Sequence, residues 1–188
     1  MSNSPKFSRR AALAGAAALP LIAATAGATR AAPAVTGAKM APYQRLKIGG
    51  FDATTLLAGT TPRPDPHTIF GLNVDKATFD AASAEANIPT DQAQFFFTPT
   101  VVNTGAELVL FDTGLSGEGT TAALAAAGYT ADEIDVVVLT HMHGDHIGGM
   151  TLEDGSPTYP IARYVTGRVE YDAWAAQDND RFNTKVVP

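Results

Sequence analysis

Three of the chain's four histidines and one aspartate fall within the six positions from His141 to His146, in the run Thr140-His141-Met142-His143-Gly144-Asp145-His146. Two residues apart on extended backbone, His141 and His143 project to the same side and can share one cation. If the chain turns into a helix at Asp145, that residue and His146 come round to face a second cation beside the first. Imidazole and carboxylate without thiolate suit Zn, Mn, Fe or Co. Two such cations about 3.5 to 4 Å apart can acidify a shared water and polarise a carbonyl or phosphoryl oxygen. Hydrolysis is therefore the chemistry the cluster would serve. A solvated, histidine-rich loop is the competing reading. The apolar strand ahead, the Gly148-Gly149 pair behind and the lack of any other histidine cluster favour a metal site.

Two other patterns suggest chemistry and do not sustain it. Gly117-Glu118-Gly119-Thr120-Thr121-Ala122 fits a relaxed G-x-G-x-x-A, but it starts six residues past Phe111, and Leu139 and Thr140 stand where a ribose-binding carboxylate would be needed. Gly114-Leu115-Ser116-Gly117-Glu118 misses the G-x-S-x-G nucleophile elbow at its last position. His67, among Pro62, Pro64 and Pro66, reads as a surface residue in a loop. The formal charge, 13 − 19 = −6, lacks the basic field with which most nucleic-acid binders neutralise phosphates, so no nucleic-acid partner is expected. No cysteine is present, which excludes disulfides, thiolate zinc sites, iron–sulfur clusters and a cysteine nucleophile.

The cluster must hang from a scaffold, and 188 residues with 45% apolar content suffice for about one packed domain. Val136 to Leu139, a β-branched run directly ahead of the histidines, reads as a buried strand. Leu46 to Leu57 around Gly49-Gly50 predicts a hairpin. Phe95 to Val102 and Glu107 to Phe111 predict a second strand-turn-strand unit about Asn103-Thr104-Gly105. Asp75 caps a helix reaching Ala86. Thr120 to Ala127 predicts a helix stopped by Gly128, and Thr130 to Glu133 has capping-box spacing. Ile161 to Val165 predicts a further strand and Glu170 to Trp174 the start of a helix. Phe95, Phe96, Phe97, Trp174, Tyr159, Tyr164 and Tyr171 are expected in the core. This alternation implies α+β or α/β layers.

Residues 1–28 read as an address. Lys6 and Ser8-Arg9-Arg10 precede the uncharged stretch Ala11 to Ala28, followed by small-x-small cleavage sites. The paired arginines resemble the twin-arginine export signal, so the export machinery is an expected partner and the periplasm or medium the expected location. The stretch is weakly apolar and broken by Pro20, so no stable membrane span is expected after processing. Residues 29–42 read as a small-residue linker.

Thr140 to Gly149, THMHGDHIGG, resembles the His-x-His-x-Asp-His signature of the metallo-β-lactamase superfamily. The resemblance extends through Val102-Asn103-Thr104-Gly105, Leu108 to Gly114 (LVLFDTG) and Ala126-Ala127-Gly128-Tyr129. With its export signal the chain is most similar to the branch holding methyl parathion hydrolase and the acyl-homoserine lactone lactonases. The resemblance implies an αββα sandwich with a dinuclear site at its edge. His141 and His143 would hold the first metal, and Asp145 and His146 the second. Asp145 would also help orient the nucleophile, and Asp112, which by itself reads equally as the cap of a turn, would lie beneath the site and orient a ligand histidine. Two divalent cations are implied, zinc first among them, with Mn, Fe or Co as alternatives.

The family completes its site with a later His, a bridging Asp and a final His, whereas no histidine follows His146. Residues 43–188 are therefore expected to be the N-terminal half of the sandwich, from a fragment or truncated product. The expected activity, belonging to the full-length parent, is hydrolysis of a small ester, lactone or phosphotriester by a hydroxide held on the dinuclear centre. The alternative is a non-catalytic remnant that binds metal and turns nothing over. The sequence leaves open the substrate, the metal and the oligomeric state, a dimer being compatible with it.

Overall fold

The computed structural model describes residues 40–188. The expected export signal, and the expected linker up to residue 39, lie outside the described residues. Strands β1 (Tyr43–Ile48) and β2 (Phe51–Leu56) form the expected hairpin. Gly49 takes φ 61° at its tip, the left-handed region that glycine enters without penalty. β2 pairs antiparallel with β5 (Thr100–Asn103), and β5 with β6 (Leu108–Phe111). The sheet then turns parallel, β6 lying beside β7 (Val136–Leu139) and β7 beside β8 (Arg163–Thr166). The order is β1-β2-β5-β6-β7-β8. A separate two-stranded ribbon joins β3 (Gly59–Pro64) to β4 (Gln92–Phe97).

Five helices accompany the strands among the described residues: α1 (Lys76–Glu85), α2 (Gly117–Ala126), α3 (Gly144–Ile147), α4 (Arg168–Ala175) and α5 (Asp180–Lys185). Asp75 caps α1 as expected, its Oδ1 accepting from Thr78 N at 2.8 Å. The capping box at Thr130 and Glu133 is present and opens a single 3-10 turn. None of the described helices is long and apolar enough to cross a membrane.

The strand register sorts the six-stranded sheet into two faces. Val101, Leu110 and Val137 align across β5, β6 and β7 and are fully buried, in one cluster with Leu124 of α2, Ile134 and Ile147. Burial of such side chains stabilises a fold by about 1.5 to 3 kcal/mol each. On the opposite face Leu46, Ile48, Phe51, Phe111 and Val165 remain 45%, 57%, 47%, 37% and 44% exposed. That face is partly open to solvent, while Ala53 and Val136 on it are buried.

Several expectations require correction. Gly59 to Pro64 is a strand rather than a loop. In a two-stranded ribbon one edge of each strand needs no partner, and Pro62 and Pro64, two apart, can both turn their donorless nitrogens to that edge. The expected strand Phe95 to Val102 is two strands in different sheets, broken at Thr98 and Pro99. α2 begins at Gly117 rather than Thr120, because Ser116 Oγ accepts from Gly119 N at 3.1 Å and caps what reads as a flexible loop. Phe96, Tyr164 and Tyr171 are 46%, 38% and 40% exposed and do not belong to the core, whereas Tyr159 does. α5 had no sequence expectation at all.

At the starting ends of the parallel strands the sheet is stitched by polar contacts. Asp135 Oδ2 accepts from Leu108 N at 2.8 Å, and Arg163 pairs with Glu107 at 2.9 Å.

Candidate metal centre

The parallel register places the ends of β6, β7 and β8 side by side, and the candidate residues follow them. Ligand sites of open α/β sheets form outside the carboxyl ends of strands, where consecutive loops converge. β7 ends at Leu139, and the chain runs on through Thr140, His141 and Met142 to His143, whose backbone is extended at φ −65° and ψ 154°. It then enters the short α3 at Gly144. Asp145 and His146 therefore lie on a helical turn while His141 and His143 precede it, the division the sequence suggested.

The three imidazoles converge. The ring centroids of His141 and His146 are 3.8 Å apart, and those of His141 and His143 are 4.6 Å apart with the planes at 74°. His143 is exposed, while His141, Asp145 and His146 are half-buried. Desolvation first, then the neighbouring His146 and His143, hold His141 below its ordinary pKa, against the opposing pull of Asp112 and Asp145. This favours the neutral imidazole, the form that ligates metal.

Asp112 follows β6 in the left-handed region at φ 61°, uncommon for a residue other than glycine. Its Oδ1 accepts from Thr140 N at 2.8 Å, and its Oδ2 accepts from Thr140 Oγ1 at 2.8 Å and lies 2.8 Å from His146 Nδ1. With Nδ1 turned to Asp112, Nε2 of His146 lies 3.5 Å from Asp145 Oδ2. Thr113 holds the same histidine by its backbone. Its N and Oγ1 both donate to the His146 carbonyl, at 2.8 and 2.7 Å, and Gly149 N donates to Thr113 Oγ1 at 3.1 Å. Thr113 and Thr140 are functional neighbours that sequence reasoning missed. Their position in Asp-Thr-Gly and directly ahead of His141 is the only local signal.

Among the described residues no group of three His, Asp or Glu side chains is arranged to hold an ion as it stands. The donor chemistry nevertheless fits a divalent cation. Two ligands about 2.0 to 2.1 Å from a tetrahedral ion sit about 3.3 Å apart, close to the separation of His146 Nε2 and Asp145 Oδ2. Phe96, Phe97, Thr98 and Pro99 join Asp112, Asp145 and His146 in lining a cleft of about 140 Å³. A larger hollow of about 730 Å³ between the β3–β4 ribbon and α1 contains no histidine, and His67 stacks on Phe79 beside it rather than joining the cluster.

Asp112→Asn should retain the backbone, since Asn tolerates φ > 0, but lose one of the two carboxylate oxygens that serve Thr140 and His146. We expect zinc affinity to fall about 10- to 100-fold, read by competition with a chromophoric chelator. Unchanged affinity would remove any orienting role for Asp112.

The sequence profile described as the metallo-beta-lactamase superfamily matches residues 98–181, a segment that includes every residue of the candidate centre. The matched segment is a little under half of the 188-residue chain. Exodeoxyribonuclease WalJ of Streptococcus pneumoniae serotype 2 is 29% identical over 85 residues, 45% of this chain and 29% of that relative. Among solved structures, AidC, a dizinc quorum-quenching lactonase, superposes with a TM-score of 0.67 at 20% identity, over 77% of this chain and 55% of that one. Hydrolase AbOPH gives 0.61 at 23% identity, over 78% and 54%. A probable metal-dependent hydrolase from Staphylococcus aureus gives 0.57 at 24% identity, over 74% and 59%. These likenesses establish the metallo-β-lactamase fold. The chain spans less than a third of the curated relative and a little over half of these structures.

Proposed function

We propose that the protein is a metal-dependent hydrolase acting on a small ester, lactone or phosphotriester, with His141 and His143 holding one divalent cation and Asp145 and His146 a second. The observation that carries this reading is the convergence of the three imidazoles at the ends of β6 and β7, with Asp112 engaging His146 from behind. When bound, the cations would supply Lewis acidity, bringing water toward ionisation near neutral pH and polarising the substrate's carbonyl or phosphoryl oxygen. The protein's own residues do the rest. Asp112 fixes the His146 ring so that Nε2 faces the centre, and Thr113 fixes its backbone. Asp145 presents Oδ2 beside Nε2, where it can ligate and accept a hydrogen bond from the attacking water. Phe96, Phe97 and Pro99 form a largely apolar wall that suits the organic part of a small substrate.

Zinc is the first choice of metal, and a dizinc lactonase among the structural neighbours supports it. The activity is proposed for the whole protein, because the chain covers only about half of the solved hydrolases it resembles. Export by the twin-arginine route to the periplasm or beyond belongs to the same reading, supported by Ser8-Arg9-Arg10 and the Ala-rich stretch behind it.

The test is hydrolysis of an acyl-homoserine lactone, an aryl phosphotriester and linear DNA by the zinc-loaded protein. Turnover of either small substrate, lost on chelation and restored by zinc, is expected. Degradation of DNA alone would replace this reading with a nuclease one, as the relative's name suggests, against the net charge of −6.

A further inference from the structure

The loop between His141 and His143 is held from a side the motif does not reveal. α4 follows β8, the strand beside β7, and its first turn carries the half-buried Glu170. Oε1 of Glu170 accepts from the backbone N–H of Met142 at 2.9 Å. The same oxygen accepts from Nε1 of Trp174, one helical turn on, at 2.7 Å. The Trp174 ring in turn meets His143 edge-on, with centroids 5.8 Å apart and planes at 84°. Met142 itself is 1% exposed, its side chain in the main core cluster.

Glu170 is the third residue of α4, where a glutamate commonly reaches back to the helix's own cap. Gly167, the cap residue, has no side chain with which to cap the helix. Glu170 reaches instead across 28 residues to the metal loop. The peptide it grips is the one joining His141 to Met142, so the orientation of that peptide helps set how the two imidazoles diverge from the chain. Trp174 fixes the carboxylate and limits the rotation of His143.

We propose that Glu170 is a positioning residue for the metal centre, holding the His141–Met142 peptide so that His141 and His143 face a common ion, with Trp174 as the brace between Glu170 and His143. This rests on the metal-site reading above. Zinc alone serves as the probe, with the 188-residue chain. Glu170→Ala should weaken zinc binding about 10- to 100-fold and remove hydrogen-exchange protection of the Met142 amide in the metal-free protein. Glu170→Gln retains an oxygen able to accept both bonds and should stay within about threefold of the parent. Glu170→Asp, one methylene shorter and unable to reach both donors, should show the loss of affinity even if the alanine variant fails to fold. Trp174 is the sole tryptophan, so its emission should change on zinc addition in the parent and report less in Glu170→Ala.

Glu170→Ala or Glu170→Asp binding zinc as tightly as the parent would overturn the proposal. So would Glu170→Gln falling as far as Glu170→Ala. If the parent binds no zinc, the metal-site reading fails by itself, while Met142 protection still decides whether Glu170 grips the loop.

Discussion

Replacing His141 and His143 together by alanine is expected to remove the zinc held at their position, with affinity there reduced by more than about 100-fold and less zinc retained through gel filtration. These two imidazoles are the donors proposed for one cation, and the double substitution removes both of them. Losing a residue that only orients a metal ligand commonly costs about 10- to 100-fold, and loss of the ligands themselves should exceed that. His143 is exposed, so its removal should leave the fold largely intact, and unchanged far-ultraviolet circular dichroism is the control. The same experiment has a pH arm. Zinc binding requires neutral imidazole and therefore weakens on acidification. Because burial and the neighbouring histidines lower the pKa of His141 below 6.5, this ligand competes for zinc against protons better than a free imidazole does. Its share of the loss should set in below pH 6.5. Equal zinc retention by the double variant and the parent would exclude the proposed centre.

The second large effect is on stability. Gly148 and Gly149 close the metal motif where α3 presses against the loop that follows β6. A Cβ on Gly149 would run into the Thr113 carbonyl and meet the Ser116 carbonyl at 3.0 Å, and one on Gly148 would run into the Leu115 carbonyl and meet that of Gly144 at 2.6 Å. These are backbone atoms and cannot rotate away. Gly149→Ala should therefore destabilise the fold by about 3 kcal/mol or more, the upper range for overpacking. That is a substantial part of a typical domain's 5 to 15 kcal/mol. The midpoint of urea unfolding should fall with little change in slope. Gly50→Ala, with nothing within 4 Å of the added methyl, is the control and should shift little. A Gly149→Ala protein as stable as the parent would show that the close approach of α3 to Thr113 does not hold in solution.

What could be read in the sequence was local. The strand Val136–Leu139 announces itself by four consecutive apolar residues, and the histidines beside it lie so close in the chain that a strand and one helical turn bring them together. Asp75 and the Thr130–Glu133 box likewise act within a single turn. Contacts between distant segments left no such trace. Nothing near Glu170 announces a bond to Met142 across 28 residues, and nothing near Thr113 announces two bonds to His146 across 33. The ribbon β3–β4 escaped detection for a different reason. Proline is a reliable strand breaker only where both edges of a strand are paired, and β3 has one edge free. The glycines ahead of Thr120 misled in the opposite sense, because the Ser116 cap offsets their low helix propensity.

Every residue assigned to the centre or its support hangs from the finishing ends of β6, β7 and β8, while Asp135, Glu107 and Arg163 tie the starting ends with ordinary polar contacts. The molecule is thus divided lengthwise into a rim that carries the candidate centre and a supporting rim. A fluorophore, an affinity tether or an immobilising linkage belongs on the supporting rim, in the Asn103–Glu107 turn, where it would leave access to the cleft unobstructed.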